Sequence, residues 1–225
     1  MIAANTVGAE AGTLRMSQSQ PIVFVVDDDI SVRESLELLI RHEGMQVETF
    51  TSAEEFLNRP HEYVPSCLVL DISMPGLNGL ELQKRLAVER PDMPIIFVTG
   101  HGDIPKTVQA MKAGAVEFLT KPFSDSALLS AISGSIERSR VLIGRVTELR
   151  TLKVRYARLS SREREVMALV VVGLANKQVA CELGISEITV KAHRGSMMRK
   201  MEADSLADLV NQAARLRLPR PNRRT

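Results

Sequence analysis

Residues 21–29 read Pro-Ile-Val-Phe-Val-Val-Asp-Asp-Asp, an unbroken apolar run from Ile22 to Val26 closed by three carboxylates. A short, β-branched run without polar interruptions reads as a strand buried on both faces, as in a parallel sheet covered by helices. The same form returns along the chain: residues 45–50, 67–70, 95–98 and 116–119 are further candidate strands, and they lead into Asp71, Thr99 and Lys121. Amphipathic segments lie between them, with Ser52 and Glu55 as a capping box and with Gly44 and Gly114 as C-terminal stops.

Strands alternating with helices in this way predict an α/β, doubly wound five-stranded parallel sheet of the flavodoxin-like kind, in the order 2-1-3-4-5. In such a sheet the ligand crevice lies beyond the carboxyl ends of strands 1 and 3. Those ends carry Asp27, Asp28 and Asp71. Asp29 reads instead as a cap for the helix that opens at Ser31.

The rest of the 225-residue chain has a different character. Through Glu137 there are 10 Lys and Arg against 19 Asp and Glu, and from Arg138 onward 19 against 8. An acidic half joined to a basic half points to a regulator whose basic part meets an anionic polymer such as nucleic acid, the alternative being a solvated basic surface. Apolar residues from Leu128 to Tyr156 recur at helical spacing, which predicts one long connecting helix, interrupted at most near Gly144; a flexible basic linker is the other reading. After it the pattern is all-helical. Ser160 with Glu163 caps a first helix, Asn176 opens a second that ends before Gly184, Ser186 caps a third running to Met201, and Ser205 opens a fourth.

The expected organisation is a disordered tail over 1–20, an α/β domain over 21–137, a linker helix over 138–157, an all-α four-helix domain over 158–218 and a disordered tail over 219–225. Cys67 and Cys181 lack partners at metal-ligand spacing and read as buried structural thiols of a reducing compartment. With neither a signal-peptide core nor a membrane-length apolar run, the expected location is the cytoplasm, with no membrane partner.

Three carboxylates in one crevice repel each other unless a cation sits among them. Hard oxygen donors with no His or Cys nearby favour Mg²⁺ (or Mn²⁺). Asp28 would ligate it directly, Asp27 through water, and Asp71 would both bind the metal and act as nucleophile. A carboxylate attacking phosphorus gives an acyl phosphate, whose charge the Lys121 ammonium and Thr99 hydroxyl would help neutralise. Lys121 precedes Pro122, and the bond between them is expected to be cis.

Val-Val-Asp-Asp-Asp at 25–29, Leu-Asp-Ile-Ser-Met-Pro-Gly at 70–76, Thr-Gly-His-Gly-Asp at 99–103 and Lys-Pro-Phe at 121–123 closely resemble response-regulator receiver domains. The resemblance implies that Asp71 accepts a phosphoryl group from a phosphohistidine on a sensor histidine kinase, and that the backbone carbonyl of Ser73 is a further metal ligand. It also implies that Thr99 and Phe118 form a switch pair, although Phe118 reads equally well as plain core. Val108 and Lys112 would lie on the face through which phosphorylated receivers form a homodimer.

In the basic half, two short helices meeting at Gly184 have the form of a helix-turn-helix. Val190, Met197 and Met201 would pack inward, leaving Lys191, Arg194 and Arg199 toward DNA. Ala192 and Gly195 are small enough to let the helix approach the bases, and His193 would pack or bind phosphate. The segments 159–166, 173–180 and 185–193 resemble the LuxR/FixJ-type DNA-binding domain. That resemblance implies base-reading positions at Lys191, Ala192 and Gly195, and a dimer contact on the fourth helix through Leu206, Leu209, Val210 and Ala213. Relatives often carry a longer polar side chain where Gly195 stands.

Together the halves resemble a FixJ-subfamily two-component regulator, a phosphorylation-activated transcription factor with promoter DNA and RNA polymerase as partners. It would be no enzyme beyond its own phosphoryl transfer and dephosphorylation. A haloacid-dehalogenase-like phosphatase would also use a strand-end Asp with Mg²⁺, but it needs a second acid where Ser73 stands. A receiver that no longer takes phosphate would be a pure interaction protein.

Overall fold

The computed structural model describes residues 20–60, 62–100 and 104–218. Apart from Gln20, the tails expected to be disordered lie outside the described residues. The chain divides into two compact units, with the division after Gly144.

In the first unit the order is β1 (Ile22–Val26), α1 (Ile30–His42), β2 (Gln46–Phe50), α2 (Ala53–Leu57), β3 (Ser66–Asp71), α3 (Gly79–Glu89), β4 (Ile95–Thr99), α4 (Ile104–Lys112) and β5 (Glu117–Thr120). The strands pair in parallel in the order β2-β1-β3-β4-β5, as the alternating pattern predicts. Successive side chains on a strand point to opposite faces. Accordingly Phe24, Leu68, Leu70 and Phe97 join Phe50, Phe56, Leu82 and Leu86 in one core. Val23, Val25, Val69, Ile96 and Val98 join Leu36, Ile40, Leu128, Ile132 and Ile136 in the other. This two-sided burial is why β1, β3 and β4 read as continuous apolar runs, whereas β2 and β5, at the two edges of the sheet, are only partly buried.

The register sets the functional edge. Val26 pairs with Leu70, so Asp27 and Asp71 leave neighbouring strands side by side, and Thr99 pairs with Thr120, next to Lys121.

Helix α5 runs unbroken over Asp125–Ala157 and contains the expected linker. Its first part belongs to the α/β unit. The buried Ser139 hydroxyl accepts the Ser66 N–H at 3.1 Å and donates to the Asp92 carbonyl at 2.9 Å, which ties the helix to the amino ends of β3 and β4. The compact unit reaches Gly144, past the end at about 137 read from the alternating strand and helix pattern and the receiver resemblance.

The second unit contains the end of α5 followed by α6 (Ser161–Val170), α7 (Asn176–Leu183), α8 (Glu187–Met201) and α9 (Leu206–Arg215). Val166, Met167, Val170, Val179, Val190, Met197, Met201, Leu209 and Ala213 form its core. Gly184 takes φ +64° between α7 and α8, in the left-handed region where a glycine carries no Cβ penalty.

Three local expectations change. Ser52 accepts the Glu55 N–H, but the Glu55 carboxylate turns to the Thr51 N–H and hydroxyl (2.7 and 2.8 Å), so the reciprocal half of the box is not formed. Cys67 is buried, but Cys181 is exposed, because α7 turns Val179 and Ala180 inward and leaves residue 181 on its solvent side. On α9 the apolar arc is divided: Leu209 and Ala213 fill the unit's own core, which removes them from any dimer contact, while Leu206 and Val210 are exposed.

Candidate functional site

At the carboxyl edge of the sheet, the Lys121 ammonium lies 2.7 Å from Asp27 Oδ2 and 3.9 Å from Asp71 Oδ1. Asp27, Asp71 and Thr99 are buried. The other Asp27 oxygen accepts the Asp29 N–H at 3.0 Å, and Asp71 Oδ2 accepts the Ser73 N–H at 2.9 Å. Lys121 is brought in by its own N–H, which donates to the Thr99 carbonyl at 2.8 Å, and its bond to Pro122 is cis. Burial pushes the Asp71 carboxyl above the ordinary aspartate range; Lys121 opposes that shift, while the charges of Asp27 and Asp28 add to it.

Asp28 is exposed at the rim, so the three-carboxylate cluster expected from sequence takes the form of two buried acids around one ammonium with a third beside them. Asp29 accepts from the Ser31 N–H and hydroxyl (2.8 and 2.7 Å), the helix cap expected of it, and those bonds hold its carboxyl low. Among the described residues no three His, Cys, Asp or Glu side chains close into a metal cage. The donor set nevertheless fits Mg²⁺, which is commonly held by one or two carboxylates and keeps several waters. The raised Asp71 carboxyl is likewise what a cation would relieve.

Phe118 is half-buried, its ring 6.5 Å from that of Phe97. On α4, Val108 and Lys112 are exposed together with Met111.

Gly79 belongs to this site although its sequence context did not single it out. It opens α3 directly beneath Asp71, and a Cβ there would stand 2.4 Å from the Asp71 carbonyl oxygen and 3.0 Å from Ile72 Cα. Backbone must then move. Gly79→Ala is expected to cost about 1–3 kcal/mol in urea unfolding and to disturb Asp71, whereas an unchanged midpoint would show that α3 shifts freely.

In the second unit, Lys191, Ala192, Gly195 and Arg199 are exposed on α8, and a Cβ on Gly195 would meet nothing within 4 Å. Arg194 is half-buried and donates to Asn176 Oδ1 at 2.7 Å, and His193 is also half-buried. Glu163 does more than cap α6. Its carboxylate accepts the Ser160 N–H at 2.7 Å, the Ser196 hydroxyl at 2.6 Å and the Lys200 ammonium at 2.9 and 2.7 Å, which fastens α8 to α6. Burial alone would raise this carboxyl, but its partners bring it down to about 2.

A parallel sheet with an acid–lysine edge, joined to a helix-turn-helix, defines a two-part regulator. Residues 23–133 match the response regulator receiver domain model, and residues 157–213 match the model of the bacterial regulatory proteins of the luxR family. Nodulation protein W of Bradyrhizobium diazoefficiens is 52% identical over 200 residues, covering 89% of this chain and 88% of that protein. The transcriptional regulatory protein FixJ of Azorhizobium caulinodans is 46% identical over 199 residues, covering 88% and 93%. The solved structure of the response regulator StyR superposes with a TM-score of 0.79 at 47% identity, covering 87% of this chain and 99% of that one. The chain belongs to the response regulators that join a receiver domain to a LuxR-type DNA-binding domain.

Proposed function

We propose that this chain is a transcription regulator switched by phosphorylation of Asp71. The observation that carries the reading is the buried Asp71 carboxylate facing Lys121 beside Asp27, at the point of the sheet where β1 and β3 diverge to opposite sides. Asp28, Asp71 and the Ser73 carbonyl would hold Mg²⁺ (or Mn²⁺), with Asp27 acting through water. The bound metal supplies charge neutralisation at the equatorial phosphoryl oxygens.

An Asp71 oxygen attacks phosphorus as the P–N bond to the donor histidine breaks. Lys121, already between the two acids, then pairs with the phosphoryl group, Thr99 turns its hydroxyl to it, and Phe118 moves into the space Thr99 leaves. A sensor histidine kinase is the donor. A cleft of about 820 Å³ between α1 and Lys121–Pro122–Phe123, lined by Val32, Leu36 and Leu39 and flanked by the exposed Leu38, offers a protein donor apolar contact beside the site.

Receivers pair through α4, with Val108, Met111 and Lys112, and the DNA-binding units pair through Leu206 and Val210. Lys191, Ala192 and Gly195 face the bases of promoter DNA, while Arg194, Arg199 and His193 meet phosphates. RNA polymerase is the downstream partner and the cytoplasm the location. Among the described residues no helix is long and apolar enough to cross a membrane.

Beryllofluoride with Mg²⁺ mimics the acyl phosphate and tests the reading. Sedimentation is expected to show monomer passing to dimer, with duplex DNA affinity rising at least tenfold and falling steeply with salt. An unchanged sedimentation coefficient together with unchanged DNA affinity would refute the switch.

A further inference from the structure

The exposed face of α8 holds a residue to which neither the sequence motifs nor the proposed contacts give a role. Ile188 is 79% exposed, among the most exposed of the large apolar side chains described. An isolated apolar side chain on a surface is ordinary. The position of this one is not.

At about 100° per residue, the buried Val190, Met197 and Met201 lie about 180–220° around the helix from Ile188. Ile188 is therefore opposite the core, on the line of α8 farthest from the body of the domain. Lys191, Ala192, Gly195 and Arg199 all fall within about 60° of it, and all four are exposed. Ile188 thus stands at the centre of the arc that the helix presents outward, with cations around it. It is also the second residue of α8, in the turn that helix-turn-helix proteins bring nearest to base edges. Its neighbours cannot shield it, since Ala192 is short and the space over Gly195 is open.

A β-branched hydrocarbon side chain has no hydrogen bond to offer. The apolar group that the major groove presents is the thymine 5-methyl, and contact with it is a means of base discrimination. We infer that Ile188 is a specificity-determining residue that packs on a thymine methyl in each half-site. The inference rests on the DNA-binding reading of α8 and adds to it one defined chemical preference.

The test begins with duplexes selected from a random pool by the full-length chain in beryllofluoride and Mg²⁺. Each thymine of the best duplex is then replaced in turn by uracil, which lacks only the methyl. One position per half-site is expected to weaken wild-type binding by about fourfold, the effect of one methyl withdrawn from a packed contact. Ile188→Ala should bind the thymine duplex less tightly and be indifferent to uracil there, while Ile188→Val should keep part of the discrimination. Equal uracil penalties in wild type and Ile188→Ala, or a wild type indifferent to uracil at every position, would overturn the assignment of Ile188 alone. Failure to select any duplex would overturn the DNA-binding reading, and this inference with it.

Discussion

Replacing Asp71 with Asn is expected to reduce Mg²⁺-dependent labelling by acetyl phosphate to background. Asn has the same shape and retains an oxygen that can accept the Ser73 N–H, so the pocket should keep its form. What it loses is the anionic oxygen proposed to form the bond to phosphorus, and no neighbour is placed to replace it. Asp27 is held by Lys121 on one oxygen and by the Asp29 N–H on the other, and Asp28 is exposed at the rim. A small donor such as acetyl phosphate needs no kinase, so the experiment isolates the chemistry of the pocket from recognition of the donor. Full labelling of Asp71→Asn, with loss in Asp28→Asn, would move the acceptor to Asp28 and overturn the assignment.

The second large effect is on stability and lies in the other unit. Glu163 is buried, with three different groups donating to its carboxylate, and Glu163→Gln removes the charge while turning an N–H₂ toward donors. The expected cost is about 3 kcal/mol in unfolding of this unit, with a fall in Tm on the order of 10–20 °C for a domain of this size. The dependence on pH has a definite sign. The carboxyl is lowered from 4.5 to about 2, so the unfolded chain takes up the proton first as acid is added. Its contribution is complete above about pH 4.5 and is lost as pH falls toward 2. The difference between wild type and Glu163→Gln, followed by the helical circular dichroism signal, should narrow over that interval. A gap that stays constant from pH 6 to roughly pH 2.5 would mean that the loss is one of packing rather than charge.

What the sequence disclosed and what it withheld follow from the range of the forces involved. β1, β3 and β4 were legible because burial on both faces leaves an almost unbroken apolar signature, and strand order then brought Asp27, Asp71, Thr99 and Lys121 to one edge. Caps at Asp29, Ser160 and Ser186 were legible because their partners lie two or three residues away. The Glu163–Lys200 pair was not, since its partners are 37 residues apart and only the packing of α6 on α8 joins them. Periodicity showed that α9 has an apolar arc, but it could not say which part would be covered; the fold takes Leu209 and Ala213 and leaves Leu206 and Val210. Cys181 was misplaced for a similar reason, because one step of a helix separates its solvent side from the core beside it.

The open space over Gly195 has a consequence for how such a protein diverges. A mid-helix glycine costs about 1 kcal/mol relative to alanine, and here an added Cβ would meet nothing within 4 Å. Alanine at this position is therefore expected to stabilise the helix rather than burden the fold. If Gly195 faces the bases as proposed, then after gene duplication a copy could acquire a new operator preference by a single small replacement there, without first accumulating compensating changes. Such freedom would let sister regulators in one cell separate their targets while sharing an unaltered scaffold.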